Sequence, residues 1–225
     1  MKKLLIFDAY GTLLSTGTGS LEATKKILTL QKKELDATTF YKDWKKYHRK
    51  HIDEANASQF ILEKDIFIKD LQVLYEQYQI QRPYEIDVEI MLESLIGRVV
   101  FSEVVEAIKI LREKYRVVIG STTDTEPLLV NLKNNGLEVD AVYTSEMIQK
   151  YKPDPMFYQY ILQAEGYKAE DAVFIGDSLV DDVEGPQSVG ITTILVDRNY
   201  KFLHDNGISP DYVVRGIDEI IGLYL

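Results

Sequence analysis

The chain has 225 residues, 45% hydrophobic and 28% charged, a composition that excludes disordered and collagen-like classes and suggests one or two domains. Lys and Arg number 26 against 36 Asp and Glu, a formal net charge of −10; such a surface repels phosphate backbones, so no nucleic-acid partner is expected. Cysteine is absent, which excludes disulfides, thiolate zinc sites and a cysteine nucleophile and fits a reducing cytosol.

The first apolar run, Leu4–Phe7, stops at Asp8, far short of a signal-peptide core. No stretch approaches the roughly 18 apolar residues of a membrane span, so no membrane partner is expected and the chain reads as cytoplasmic. Further short runs recur: Arg116–Gly120, Ala141–Tyr143, Ala172–Ile175, Thr192–Val196 and Tyr212–Val214, each followed by a polar or glycine-bearing turn. Runs this short and apolar throughout predict strands of a parallel sheet covered on both faces. Helical patterns lie between them, at Glu103–Tyr115, Glu126–Asn134, Pro155–Gly166 and Asp182–Val189. The alternation predicts an α/β fold, a doubly wound parallel-sheet (Rossmann-like) core.

One interval breaks this rhythm. From Ser15 to Val99 only helical periodicity is visible, at Leu21–Lys32, Thr38–Ile52, Gln59–Tyr78 and Glu85–Ile96. Phe60, Ile61, Phe67, Ile68, Leu71, Leu74 and Tyr75 recur at three- and four-residue spacing, the mark of one buried face. The expected organisation is therefore an inserted helical-bundle cap domain, 15–99, within a core of 1–14 and 100–225. His48, His51 and His204 lack metal-ligand spacing and are expected at the surface.

Ligands of open α/β sheets bind beyond the carboxyl ends of the strands. The polar residues there are Asp8 and Thr12, then Ser121 or Thr122, then Asp177 with Asp181 and Asp182; Lys152 precedes Pro153 on the loop after the third strand. A carboxylate nucleophile, a hydroxyl donor, a lysine and an acidic pair make up the set that phosphoryl chemistry requires.

The chain resembles the haloacid dehalogenase superfamily of hydrolases. The resemblance rests on Phe7-Asp8-Ala9-Tyr10-Gly11-Thr12-Leu13, Ser121, Lys152-Pro153-Asp154-Pro155 and the run Gly176–Gly185, which match in order and spacing over nearly the whole chain. It implies that Asp8 is a nucleophile forming a covalent aspartyl intermediate and that Ser121, with Thr122 one position away, donates a hydroxyl to the transferred group. Lys152 would neutralise charge. Asp8, Asp177, Asp182 (or Asp181) and the Tyr10 carbonyl would hold Mg2+, and the long helical insertion would be the cap.

Two departures pull apart. Phosphatases of this family carry a second Asp where this chain has Tyr10, and Asp8-Ala9-Tyr10-Gly11-Thr12 is the form of the metal-independent 2-haloacid dehalogenases. Those dehalogenases have Ser in place of Asp177, Asn in place of Leu179, and a cap arginine where this chain offers Lys45. Two departures from the dehalogenase pattern outweigh one from the phosphatase pattern. The expectation is a Mg2+-dependent phosphatase acting on a small anionic phosphorylated metabolite. A 2-haloacid dehalogenase is the alternative, and a non-catalytic anion-binding relative is a third possibility that the intact set of Asp8, Ser121, Lys152 and Asp177 argues against.

Overall fold

A computed structural model describes residues 3–31, 34–199 and 207–223. Its contacts divide the chain into two units, Met1–Ser15 with Val99–Leu225, and Thr16–Arg98.

The first unit is built on six parallel strands. These are β1 (Leu4–Phe7), β2 (Arg116–Ser121), β3 (Ala141–Thr144), β4 (Ala172–Gly176), β5 (Thr192–Val196) and β6 (Tyr212–Val214), in the spatial order β3-β2-β1-β4-β5-β6. The central strands are buried along their whole length, which is why they read as unbroken apolar runs. Side chains pointing to opposite faces supply two cores. One gathers Leu5, Phe7, Ile119, Ile175 and Ile194; the other gathers Leu4, Ile6, Val118, Phe157 and Phe174. The chain builds outward from β1 to β2 and β3, then returns to the other side of β1 with β4. That reversal opens a crevice beyond the carboxyl ends of β1 and β4.

In the second unit, α1 (Gly19–Leu30), α2 (Ala37–Ala57), α3 (Glu63–Gln77) and α4 (Tyr84–Leu95) enclose a core of their own. Phe40, Trp44, Phe67, Leu71, Leu74, Val88 and Met91 fill it. Phe60 and Ile61, expected on the helix of Leu71 and Leu74, lie before α3 and are only half-buried. The sequence expectation of surface histidines is corrected here. His51 is buried and His48 half-buried, and their Nδ1 atoms lie 2.6 and 2.7 Å from the two oxygens of fully buried Asp70. The Trp44 indole N–H also donates to Asp70, at 3.2 Å. An aspartate buried among aromatic rings needs such partners. His204, and Lys32 at the end of the predicted first helix, fall outside the described residues.

The remaining helices belong to the first unit: α5 (Val104–Lys114), α6 (Thr125–Asn134), the short α7 (Ser145–Ile148) and α8 (Pro155–Glu165). The helix predicted at Asp182–Val189 takes a different form. A π-helical turn at Leu179–Glu184 runs into a three-residue helical turn at Gly185–Gln187. Pro186 has no N–H to donate and its ring crowds the preceding turn, so regular α-helix cannot run through it. No described helix is long and apolar enough to cross a membrane.

Candidate active site

Asp8 is the first residue past β1, and its N–H donates to the Ile175 carbonyl at 2.8 Å, so the ends of β1 and β4 are tied together there. The next residues turn sharply. Leu13 and Leu14 N–H both donate to the Ala9 carbonyl, and Gly11 at the tip has φ +100°, a conformation that glycine adopts without strain. Asp177 follows β4 directly, and the Thr12 hydroxyl donates to its Oδ1 at 3.3 Å.

Lys152 arrives from the loop between α7 and α8 and is 2% exposed. Its ammonium donates to Asp8 Oδ1 and to Asp182 Oδ1, both at 2.7 Å, and lies 5.2 Å from the centre of the Phe174 ring. The other oxygen of Asp182 accepts the Ser178 N–H at 2.9 Å. Gly176 makes this packing possible: a β-carbon there would lie 2.2 Å from the Asp182 carboxylate. The π-helical turn thus delivers Asp182 inward, while Asp181 is held beside it by its own N–H donating to Ser178 Oγ at 3.2 Å and by its carbonyl accepting the Tyr158 hydroxyl.

The crevice is a small cavity of about 160 Å³ lined by Asp8, Tyr10, Ser121, Thr122, Lys152, Asp177, Ser178, Asp181 and Asp182. Of the residues singled out from sequence only Thr12 is missing from this lining; it is fully buried and reaches the site through Asp177. Ser121 is the last residue of β2 and 1% exposed. Thr122 contributes a buried Oγ1 that has no hydrogen-bond partner within the protein, an acceptor and donor suited to a ligand.

Electrostatically the site is overloaded with acid. One oxygen from each of Asp8, Asp177 and Asp182 lies within 4.8 Å of the others. Burial raises the Asp8 pKa, and the negative charge of Asp177 adds to this while Lys152 opposes it. Asp182 is raised in the same way by burial, with Asp8 adding to the effect. For Lys152 burial disfavours the charge, but Asp182, Asp8 and Asp181 prevail and hold it protonated. The donor set is hard oxygen throughout, which fits a magnesium ion. The oxygens that could hold such an ion are those of Asp8, Asp177 and Asp182, and each of the three carboxylates also accepts a hydrogen bond within the protein.

Tyr10 lies within the turn after Asp8, half-buried and packed against the core on one sheet face. Its hydroxyl oxygen accepts a hydrogen bond from Nδ2 of Asn131, at 3.1 Å. Sequence reasoning passed over Asn131, and also Arg198, which donates to the Thr12 carbonyl at 2.9 Å and stacks 3.7 Å from the Phe101 ring centre. The only sequence signal for Asn131 is an amide on the apolar stripe of α6, between Leu128 and Leu132. In the helical unit, the Lys45 ammonium lies 5.1 Å from the Tyr41 ring centre and Trp44 is core.

The comparisons with known proteins agree on this architecture. Residues 2–190 match the model of the haloacid dehalogenase-like hydrolases. Among curated relatives, a glyceraldehyde 3-phosphate phosphatase of Methanocaldococcus jannaschii is 32% identical over 85 residues, 37% of each chain. Haloacetate dehalogenase H-2 of a Moraxella species is 30% identical over 127 residues, 55% of this chain and 56% of that one. The chain spans about half the length, or less, of the curated relatives it matches. The solved L-2-haloacid dehalogenase of Xanthobacter autotrophicus superposes with a TM-score of 0.81 at 16% identity, covering 98% of this chain and 97% of that one, a likeness of fold. With a family match extending from β1 to the turn before β5, and with the crevice at the ends of β1 and β4, the chain belongs to the haloacid dehalogenase-like hydrolases.

Proposed function

We propose that the protein is a magnesium-dependent phosphatase that hydrolyses a small phosphorylated metabolite through an aspartyl-enzyme intermediate. One observation carries the reading. Four carboxylates line the crevice beside a single lysine, and three of them converge on one point. Such a group repels itself unless a cation is added, and desolvated carboxylates without one become protonated. A site for a neutral or singly charged carbon substrate gains nothing from that arrangement.

With Oδ1 of Asp8 held by Lys152, its Oδ2 attacks phosphorus, and the bond from phosphorus to the ester oxygen breaks. The departing alkoxide takes a proton from a solvent water and leaves as the alcohol, and the hydroxide so formed takes up the proton that the attacking water gives up in the next step. Water then attacks phosphorus, the bond to Asp8 breaks, and inorganic phosphate is released. Ser121 and Thr122 donate to the phosphoryl oxygens, and Lys152 offsets charge on Asp8 and on the group in transfer. Magnesium bound by Asp8, Asp177 and the Tyr10 carbonyl would supply charge neutralisation at a phosphoryl oxygen.

Dehalogenation of a short 2-haloacid is the second reading, and it rests on Tyr10 standing where a second carboxylate would serve as acid and base. A halide leaves without needing a proton. A parallel assay decides between the two: phosphate release from phosphomonoesters and chloride release from 2-chloropropionate, each with magnesium or with EDTA. Phosphate release that EDTA abolishes supports the phosphatase. Chloride release persisting in EDTA, with no phosphate from any ester, overturns it.

A further inference from the structure

We infer that Tyr158 is a positioning residue for the hydrolysis proposed above: its hydroxyl holds the π-helical turn at Leu179–Glu184 in the register that brings Asp182 to Lys152. The inference rests on the aspartyl chemistry of that reading and adds to it a residue that does not line the crevice. Tyr158 lies on α8, fully buried, its ring edge-on to those of Phe157 and Phe174 with centres 5.5 Å from each. A phenylalanine would serve these rings as well, and a buried hydroxyl costs free energy unless it is hydrogen-bonded. The Tyr158 hydroxyl donates to the Asp181 carbonyl at 2.6 Å. Gly185 leaves room for it, because a β-carbon there would overlap the phenolic oxygen.

That carbonyl is where the backbone bonding of the turn runs out. In an α-helix a carbonyl accepts from the amide four residues on, and in a π-helix from the amide five residues on. For Asp181 the first of these is Gly185, whose N–H goes to the Val180 carbonyl in π register. The second is Pro186, which has no N–H. The hydroxyl of Tyr158 stands in for the donor that the proline lacks. The consequence reaches the crevice through the next residue. Oδ1 of Asp182 accepts from the Lys152 ammonium at 2.7 Å, and the same ammonium donates to Asp8 Oδ1 at 2.7 Å. A turn relaxing toward α-helical register would swing Asp182 about the helix axis and away from Lys152. Lys152 would then lose one of the two carboxylates that aim it at Asp8.

The test is Tyr158→Phe, which removes one oxygen and keeps the ring. With 4-nitrophenyl phosphate and magnesium, kcat should fall about tenfold or more, the scale on which displaced catalytic groups are felt, with KM changing less. A crystal structure of the variant should show the Lys152 ammonium out of hydrogen-bond reach of Asp182. The decisive control is Pro186→Ala, which gives the turn an N–H five residues beyond Asp181. In that background the fall in kcat caused by Tyr158→Phe should largely disappear, whereas a hydroxyl that only supports packing costs the same in both. An equal fall in both backgrounds, an unchanged kcat in folded Tyr158→Phe, or an unmoved Asp182 overturns the inference while the phosphatase reading stands. Folding of Tyr158→Phe only together with Pro186→Ala supports the inference; folding in neither background makes the hydroxyl a requirement of the fold and overturns it. A wild type that releases no phosphate overturns the phosphatase reading, and the position of Asp182 in the variant's structure then decides the inference by itself.

Discussion

Gly11 and Asp177 stand so close that a β-carbon on the glycine would fall 2.5 Å from Oδ2 of the aspartate. Gly11 also has φ +100°, so a side chain there meets both backbone strain and a carboxylate. Gly11→Ala should therefore destabilise the fold by about 1–3 kcal/mol and displace Asp177 from Asp8. The magnesium concentration needed for half-maximal phosphate release should rise at least several-fold. Unchanged thermal unfolding together with unchanged magnesium dependence would mean that the turn relaxes without disturbing Asp177.

Lys152 is the cation that two buried carboxylates share, at 2.7 Å from each. Lys152→Met keeps the length of the side chain and removes its charge. Asp8 and Asp182 are then left to repel each other out of reach of bulk water, a loss on the order of 3–5 kcal/mol. Adding magnesium should recover part of that stability, because the ion restores positive charge beside Asp8. Unfolding midpoints measured with and without magnesium provide the check. A variant as stable as the wild type in EDTA contradicts the argument.

Much of this was legible in the sequence, for physical reasons that also explain what was not. Strands buried on both faces must be apolar throughout, so Leu4–Phe7 and Ala172–Ile175 announced themselves, and parallel topology sends their carboxyl ends to one edge. Asp8, Ser121, Lys152 and Asp177 could be nominated together on that ground. The choice between Asp181 and Asp182 could not be read, because a π-helical turn departs from the usual angle per residue and changes which acid points inward. Helical periodicity reports only which face is apolar. It hid Asn131 among leucines, and it gave no hint that Asp70 on α3 draws two histidines of α2 into the interior of the helical unit.

Of these two histidines, His48 makes stability depend on pH. Burial disfavours the charge on His48, but hydrogen bonds to Asp70 and Glu63 prevail and push its pKa up to about 9. The His48 ring stacks on that of Phe67 with centres 4.5 Å apart, and the Trp44 indole N–H donates to the same Asp70. An unfolded histidine titrates near 6.5, so the native state binds the proton more tightly. The contribution, at most about 3 kcal/mol, is complete below pH about 6.5 and is lost as pH rises through about 9. The unfolding midpoint of the wild type should exceed that of His48→Gln most at pH 6, and the gap should narrow by pH 10. A gap that is constant over this range would mean that folding leaves the titration of His48 unchanged.

Tyr10 separates the two chemistries open to this crevice, and substituting it should expose which one the protein performs. In a phosphatase the phenol donates a hydrogen bond to the departing oxygen but is a weak acid near neutral pH, so aryl phosphates should turn over much faster than alkyl phosphates. Tyr10→Asp replaces it with a carboxyl group among other carboxylates, where burial and like charge favour the protonated form that an alkoxide needs. Ethyl phosphate turnover should rise relative to 4-nitrophenyl phosphate, narrowing the gap by about tenfold or more. The amide of Asn131 remains within the same core and can hydrogen-bond the new side chain only if the turn shifts, since Asp is shorter than Tyr. In a dehalogenase the ring is packing beside an apolar substrate, and the same substitution should end chloride release without creating any phosphatase. Measuring both products from both forms separates these outcomes. Loss of chloride release with no gain in ethyl phosphate turnover would assign the crevice to carbon–halogen chemistry.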